Sequence, residues 1–215
     1  MTLPEIAFWT ISLPLAAYYA SFTPIFLYRE GAVAPWAIVP WHIYMAQLQE
    51  SVIKHHPYQS VWWQWAINWR PIWYLYQVVD GSQRGVLLLG NPFTMLAGLA
   101  AMVWCLARGA GRRRWPDVLA ALAYLATLGL WMVHAKPVQF YYHYLLPGAL
   151  LMACLALALD ALWRKARARW WRWAAVAPLV LSLALFAGFF PILAALPLHH
   201  GARSFETWMW LPSWR

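Results

Sequence analysis

The sequence is poor in charge, poorest of all in acidic residues, and nearly without cysteine. Only 11% of its 215 residues are charged, seven of these residues are Asp or Glu, and 63% of the chain is hydrophobic. So little polar surface cannot coat a water-soluble globule, which excludes the soluble classes and makes lipid the main solvent. Cys105 and Cys154 both fall in apolar runs, which predicts buried thiols and no disulfide framework.

Five apolar runs are each long enough for a helix to cross about 30 Å of hydrocarbon. They predict an all-α integral membrane fold with spans at residues 6–28, 86–107, 118–135, 138–163 and 173–198. The first run is too long for a signal h-region and lacks a cleavage-like site, so we expect it to stay in the membrane. Because no linker or repeat divides the chain, we expect a single membrane domain over 1–215.

Most basic residues lie in two links, between the second and third spans and between the fourth and fifth. The positive-inside rule places both links in the cytoplasm. The N terminus is then cytoplasmic, whereas the C terminus and the long segment 29–85 are extracytoplasmic. Retention of these links inside, with contact to anionic lipid headgroups, accounts for the net charge of +9, so no nucleic-acid partner is expected.

The extracytoplasmic segment is rich in tryptophan, with five Trp residues between Trp62 and Trp73. Trp and Tyr prefer the headgroup level, which predicts that this segment lies along the outer membrane surface. Anchoring does not explain Arg70, which stands between Trp69 and Pro71. Its planar, weakly hydrated fork suits a phosphate held at the surface. The alternative is an arginine that only snorkels to the headgroups.

Two further polar positions are predicted at membrane depth on the same side. Asn91 precedes Pro92, whose missing N–H would leave the carbonyl of Leu88 free inside the second predicted span. His143 follows Gln139 by four residues, so the two would share a helix face. Polar groups at such depth are candidates for function. A structural hydrogen bond between helices explains Asn91 or His143 equally well.

Four segments carry a more specific signal when they are taken in order. They are His56-Pro57-Tyr58 through Ser60, Trp63, Trp65 and Trp69-Arg70-Pro71; Gly90-Asn91-Pro92; Phe140-Tyr141-Tyr142-His143-Tyr144-Leu145-Leu146-Pro147; and Trp210-Leu211-Pro212-Ser213-Trp214. In identity and order they resemble the C-terminal multi-helix region of the protein O-mannosyltransferases. The resemblance covers nearly the whole chain.

The resemblance implies a GT-C type glycosyltransferase that moves mannose from a polyprenyl-phosphate donor to Ser or Thr hydroxyls of proteins on the outer membrane face. The expected partners are this donor, an acceptor protein and membrane lipids, and no cofactor is expected. Neighbouring side chains on an extended chain point apart, so the pairs His55-His56 and His199-His200 do not predict a metal site. The resemblance further implies a donor lipid-phosphate region made up of His56, Tyr58, Ser60, Trp63, Trp65, Arg70, Asn91 and His143.

The acidic residues depart from the family pattern. Full-length members have a longer N-terminal part whose outer loop carries an adjacent Asp-Glu pair, the source of the catalytic carboxylate, and this chain has no adjacent acidic pair. We therefore expect a fragment or split half that works with an N-terminal half or a dimer partner. Glu50 is the best internal candidate for a general base, and Asp160 is assigned to an ion pair with Arg164. The alternatives are a complete transferase and a non-catalytic accessory membrane protein that binds lipid phosphate or bridges partners.

Overall fold

A computed structural model describes residues 2–133, 136–165, 169–199 and 201–215 of the chain. Residues 134–135 of the third predicted span, residues 166–168 of the basic link between the fourth and fifth spans, and His200 lie outside these residues. The chain forms two compact units, residues 1–52 and 53–215. The second unit contains all four segments that carry the family resemblance.

The first unit consists of two helices, α1 (Leu3–Leu27) and α2 (Ile38–Ser51). They pack against each other through His42, whose Nε2 lies 3.0 Å from the hydroxyl of Tyr18. The His42 ring also meets the edge of Phe22, with ring centroids 4.7 Å apart. The apolar side chains of α1 are mostly exposed, which suits a helix in contact with lipid.

The second unit begins with a short helix and a hairpin. Helix α3 (Trp62–Ala66) is followed by strands β1 (Ile72–Val79) and β2 (Ser82–Leu88), which pair in antiparallel register. The turn between the strands is Asp80-Gly81, and both residues have positive φ, 51° and 73°. This is the backbone that a two-residue hairpin turn requires, and Asp-Gly is among its preferred sequences. The hairpin was not predicted from the sequence.

Four long helices complete the second unit: α4 (Pro92–Arg112), α5 (Trp115–Val133), α6 (Leu145–Lys165) and α7 (Arg169–Leu193). Helix α6 packs against the other three. A 3₁₀ turn, Tyr141–Tyr144, leads into α6, and together they form one apolar helical run of 25 residues. Together with α1, five helices in the described residues are long and apolar enough to cross a membrane, which confirms the five predicted spans.

Small residues allow α4 and α6 to approach closely. Gly98, Ala101 and Cys105 follow one another at helical spacing on the buried face of α4. A Cβ added at Gly98 would lie 2.7 Å from Cγ of Leu151, so only glycine fits there. The Sγ of Cys105 donates to the carbonyl of Cys154 over 3.7 Å. Both thiols are free and fully buried, as predicted.

A buried carboxylate fastens the link between α4 and α5. Asp117 is fully buried, and its Oδ2 lies 3.3 Å from Nη1 of Arg108 and 3.7 Å from Nε of Arg114. The guanidinium of Arg108 also lies over the ring of Trp104, 4.7 Å from its centroid. Because a charge in an apolar interior is costly unless it is paired, these contacts fix how the two helices meet.

The ends of the predicted spans need correction. The second span was predicted from residue 86, but residues 86–88 belong to β2 and the helix begins at Pro92. Pro92 is therefore in the first turn of α4, where the N–H that proline lacks would have no helical partner anyway. The prediction that Pro92 frees the carbonyl of Leu88 inside a helix is wrong, because Leu88 belongs to β2. Gln139 precedes the 3₁₀ turn, so the prediction that it shares a helix face with His143 is wrong. The last span ends at Leu193 rather than at residue 198.

Replacement of Asp117 by Asn tests the buried link. The change leaves Arg108, whose side chain is only 12% exposed, without its buried counter-charge, so we expect the unfolding free energy to fall by about 3 to 5 kcal/mol. The control is Asp160→Asn, which breaks the exposed pair that Asp160 makes with Arg164 at 2.8 Å, as predicted from their spacing. This control should change stability little. Thermal unfolding of the purified protein in detergent measures both, and an equal effect of the two changes would contradict the assignment.

Candidate functional site

The segments that resemble the family meet at one polar junction in the second unit. Asn68, which is buried and has a φ of 55°, donates from Nδ2 to the carbonyl of Gly90 over 2.7 Å. The hydroxyl of Tyr141 donates to Oδ1 of Asn68 and accepts from the N–H of Gly90 at 2.9 Å. Each polar group of this junction has a partner, which holds the Trp-rich segment, the end of the hairpin and the 3₁₀ turn together.

The C-terminal segment docks onto the same junction. Nε1 of Trp214 donates to the carbonyl of Asn68 at 2.6 Å. The guanidinium of Arg70 donates from Nη1 to the carbonyl of Ser213 at 2.8 Å and from Nη2 to the carbonyl of Pro57 at 2.6 Å. Arg70 therefore ties the His56-Pro57-Tyr58 segment to the end of the chain. Carbonyl partners for Arg70 were not predicted from the sequence.

Three of the predicted site residues share one aromatic cluster. Nε1 of Trp65, which is fully buried, donates to Oγ of Ser60 at 2.8 Å. The ring of Trp65 lies 6.0 Å from that of His143, and His143 in turn stacks on Trp131 at 4.0 Å with an interplanar angle of 19°. Nζ of Lys136, a residue that the sequence analysis did not select, lies 3.4 Å from Nε2 of His143. Burial lowers the pKa of Lys136.

His56 and Tyr58 border this cluster. The ring of His56 meets the edge of Phe140 at 5.1 Å, and its Nδ1 accepts from the N–H of Tyr58 at 3.1 Å. Phe140 also stacks on Tyr142 at 5.5 Å. The backbone joins the same two segments, because the N–H of Ser60 donates to the carbonyl of Gln139 at 2.8 Å. The structure thus brings the segment around His56 and the segment around His143 together.

The remaining predicted site residues lie outside this aromatic cluster. Asn91 caps α4, where its Oδ1 accepts from the N–H groups of Phe93 and Thr94, and its Nδ2 donates to the carbonyl of Ser182 in α7 at 2.8 Å. Its contacts are therefore the structural hydrogen bonds that the sequence analysis kept as an alternative. Trp63 is largely exposed on α3. Glu50 is exposed near the end of α2 in the first unit.

A cavity of about 490 Å³ opens beside the polar junction, between the hairpin and the first turns of α4 and α6. Its walls are mostly apolar, and the polar groups come from a few hydroxyls and one amide: Tyr74, Asn91, Thr94, Tyr141, Tyr142 and Tyr144. Partial burial, followed by the neighbouring Tyr142, raises the pKa of Tyr74 above the usual range of a phenol. Such a cavity suits a long apolar ligand that carries few polar groups.

Comparison with known families identifies the chain. The profile described as the C-terminal four TMM region of protein-O-mannosyltransferase matches residues 37–214. The chain belongs to this family. The part of this chain that matches the O-mannosyltransferase family contains the four long helices α4 to α7, whereas α1 lies before it. The resemblance inferred from the four segments is thereby confirmed.

Curated relatives and a solved structure agree with the family. Polyprenol-phosphate-mannose–protein mannosyltransferases of Mycolicibacterium smegmatis and Mycobacterium tuberculosis are 27% and 25% identical over 94% of this chain. The chain spans about half the length of these relatives, 46% and 45%. In the Saccharomyces cerevisiae Pmt1-Pmt2 complex bound to the sugar donor, one chain is similar with a TM-score of 0.64 and 19% identity, over 86% of this chain and 27% of that one. At this identity the likeness supports the fold alone.

Replacement of Tyr141 by Phe tests the polar junction. The change removes one hydroxyl and leaves the N–H of Gly90 and Oδ1 of Asn68 without this partner in a buried place. We expect the unfolding free energy to fall by about 1 to 3 kcal/mol, the usual effect of a buried group left unpaired. Tyr142→Phe is the matched control, since Tyr142 is 40% exposed and its ring contacts remain. Equal thermal stability of wild type and Tyr141→Phe in detergent would contradict the role given to the junction.

Proposed function

We propose that this chain forms the C-terminal membrane region of a protein mannosyltransferase that uses a polyprenyl-phosphate mannose donor. The observation that carries the proposal is the family match over residues 37–214, whose resembling segments converge on one junction. The names of the curated relatives supply the donor and the protein acceptor. The geometry supports a binding role, because the junction borders an apolar cavity on one side and a basic, aromatic cluster on the other.

The cavity is the proposed place for the first isoprene units of the donor lipid. Its walls combine Leu88, Met95 and Met152 with the phenol rings of the 3₁₀ turn, so an isoprenoid chain would exchange lipid contacts for close packing. The phosphate would then lie in the neighbouring region predicted from the sequence, around His56, Tyr58, Ser60, Trp63, Trp65, Arg70, Asn91 and His143. The two parts share the 3₁₀ turn as a common wall.

Arg70 has a positioning role in this proposal. A guanidinium has five N–H donors in a rigid fork, and in Arg70 both terminal nitrogens donate to carbonyls. These bonds fix the backbone at Pro57 and at the C-terminal segment. Donors of Arg70 that remain could contact a phosphate, but only while the carbonyl bonds hold the two segments together.

The acidic residues of the second unit do not supply an obvious general base. Asp117 and Asp160 both pair with arginines, at 3.3 and 2.8 Å. Asp80 belongs to the hairpin turn, and Glu206 lies 3.9 Å from Arg203. A base must lie within hydrogen-bond reach of the hydroxyl proton that it removes. We therefore propose that the carboxylate comes from an N-terminal half or a dimer partner, with Glu50 as the internal candidate.

The proposed orientation follows the positive-inside rule. Arg112 ends α4 and Lys165 ends α6, so the basic links stand at the ends of these helices that are remote from the 3₁₀ turn. With the links in the cytoplasm, the hairpin, the polar junction and the C terminus are extracytoplasmic, and the N terminus is cytoplasmic. The donor phosphate and the acceptor protein would then meet on the outer face.

Reconstituted transfer tests the proposed function. The chain is placed in vesicles alone, or with the N-terminal part of the Mycolicibacterium smegmatis relative, and given polyprenyl-phosphate mannose and a Ser/Thr peptide. We expect transfer by the pair and a rate roughly a hundred- to ten-thousand-fold lower for the chain alone, because general acid–base assistance is worth that much. The N-terminal part alone is the control.

Two other results would lead to different conclusions. Turnover by the chain alone that Glu50→Gln abolishes would place the base in this chain and contradict the need for a partner. Donor binding without transfer in any combination, while the intact relative is active in the same vesicles, would contradict the transferase assignment and favour an accessory membrane protein.

A further inference from the structure

A groove lies between the neighbouring ends of α6 and α7, at the end of these helices that is remote from the 3₁₀ turn. Its volume is about 160 Å³, and it is lined by Trp163, Arg172, Trp173 and Val176. Trp163 lies in the last turn of α6, and Arg172 begins the part of α7 that is long and apolar enough to cross a membrane. The groove is therefore at the level where lipid headgroups meet the hydrocarbon.

Arg172 has no counter-charge within the described part of the chain. Two other arginines near the basic links, Arg108 and Arg164, each pair with an aspartate, at 3.3 and 2.8 Å. Arg172 instead places its guanidinium over the ring of Trp163, 5.3 Å from the ring centroid. A ring face attracts a cation, but it does not offer the oxygen acceptors that a guanidinium binds in a carboxylate or a phosphate. An anion from outside the chain would supply these acceptors.

We propose that this groove binds the headgroup of an anionic glycerophospholipid, with the phosphodiester at Arg172. The site goes beyond the proposed transfer reaction, because it lies at the opposite end of α6 from the polar junction and has no part in binding donor or acceptor. With the orientation proposed above, the lipid belongs to the cytoplasmic leaflet. Neither the description of the family nor the names of the relatives assign a ligand to this groove.

The apolar wall of the groove favours a lipid over a soluble anion. Val176 follows Arg172 by four residues, so the two share a face of α7, with Val176 about 6 Å further along the helix towards the hydrocarbon. The rings of Trp163 and Trp173 are both partly exposed beside them. A volume of about 160 Å³ equals that of about five water molecules. The groove can therefore hold a phosphate group, and the acyl chains must continue past Val176 into the membrane.

The charges near the groove favour a headgroup that has no ammonium group. Arg172 and Lys165 are exposed cations near the adjacent ends of α7 and α6. The carboxylate of Asp160 is already paired with Arg164. A zwitterionic headgroup would bring its own cation to this basic end of the helices, whereas an anionic headgroup brings only the phosphate. Basic pockets between membrane helices on the cytoplasmic side are typical binding places for anionic lipids.

Native mass spectrometry of the purified 215-residue chain tests the site. The chain is titrated in detergent with phosphatidylglycerol or with phosphatidylcholine of the same acyl chains. We expect phosphatidylglycerol to bind more tightly, and Arg172→Gln to weaken its binding about fivefold, the usual effect of one basic residue at an anionic membrane surface. Arg112→Gln is the matched control, because Arg112 is an exposed arginine in the last turn of α4 and its loss changes the net charge equally. This control should leave the affinity unchanged.

Val176→Phe tests the groove without changing the charge. The larger side chain fills the apolar wall while Arg172 remains, so we expect phosphatidylglycerol to bind more weakly than to the wild type. A ligand that binds only the folded state also raises the unfolding temperature. Added phosphatidylglycerol should therefore raise the unfolding temperature of the wild type and of Arg112→Gln by more than that of Arg172→Gln or Val176→Phe. The unfolding transition without lipid shows whether each variant is folded.

Four results would overturn the site. Equal weakening by Arg172→Gln and Arg112→Gln would mean that anionic lipid is attracted diffusely to the whole basic surface. Equal binding of phosphatidylcholine and phosphatidylglycerol to the wild type would leave only ordinary lipid contact. Displacement of phosphatidylglycerol by the same concentration of glycerol 3-phosphate would indicate a site for a free anion. Unchanged affinity in both Arg172→Gln and folded Val176→Phe would exclude the groove.

Discussion

The amide of Asn68 is the contact on which the second unit depends. It bridges the carbonyl of Gly90 and the hydroxyl of Tyr141, groups that lie 22 and 73 residues away along the chain. The left-handed backbone of Asn68 is favoured by few residues other than glycine, and asparagine is one of these whose side chain supplies both a donor and an acceptor. A hydrophobic replacement of similar size would remove the donor to the carbonyl of Gly90 and the acceptor for the hydroxyl of Tyr141, two buried groups, so the fold at this point requires a polar side chain.

The same junction sets the geometry of the proposed site. Tyr141 is held by Asn68, and the 3₁₀ turn that begins at Tyr141 presents Tyr142 to the cavity and His143 to the aromatic cluster. The C-terminal segment adds to this rigidity, since Trp214 and Arg70 lock the backbone on either side of Trp69. Sites in membrane proteins need such support because irregular backbone is tolerated only where its polar groups are satisfied by protein or water.

The length of the apolar runs, the composition and the local spacing of residues were sufficient to predict much of the fold. The five apolar runs located the spans, and the i,i+4 spacing of Asp160 and Arg164 predicted their ion pair. The hairpin was missed because the apolar residues 86–89 suit a strand and a buried helix equally, although Asp80-Gly81 was a turn signal. The carbonyl partners of Arg70 could not be predicted, because Ser213 lies 143 residues away along the chain. Every residue has a backbone carbonyl, so the sequence does not show which of them accepts a hydrogen bond.

The central claim is that the donor lipid lies along the cavity beside the polar junction. A polyprenyl phosphate with a diazirine on its first isoprene units, photolysed with the full chain in vesicles, tests this claim by mass spectrometry of the labelled peptides. We predict labels on Leu88 to Met95 and on Tyr142 to Met152, competed by unlabelled polyprenyl phosphate. A diazirine fatty acid should instead label exposed helix faces, such as Leu119 and Val180. Labelling by the polyprenyl probe confined to those exposed faces would contradict the account.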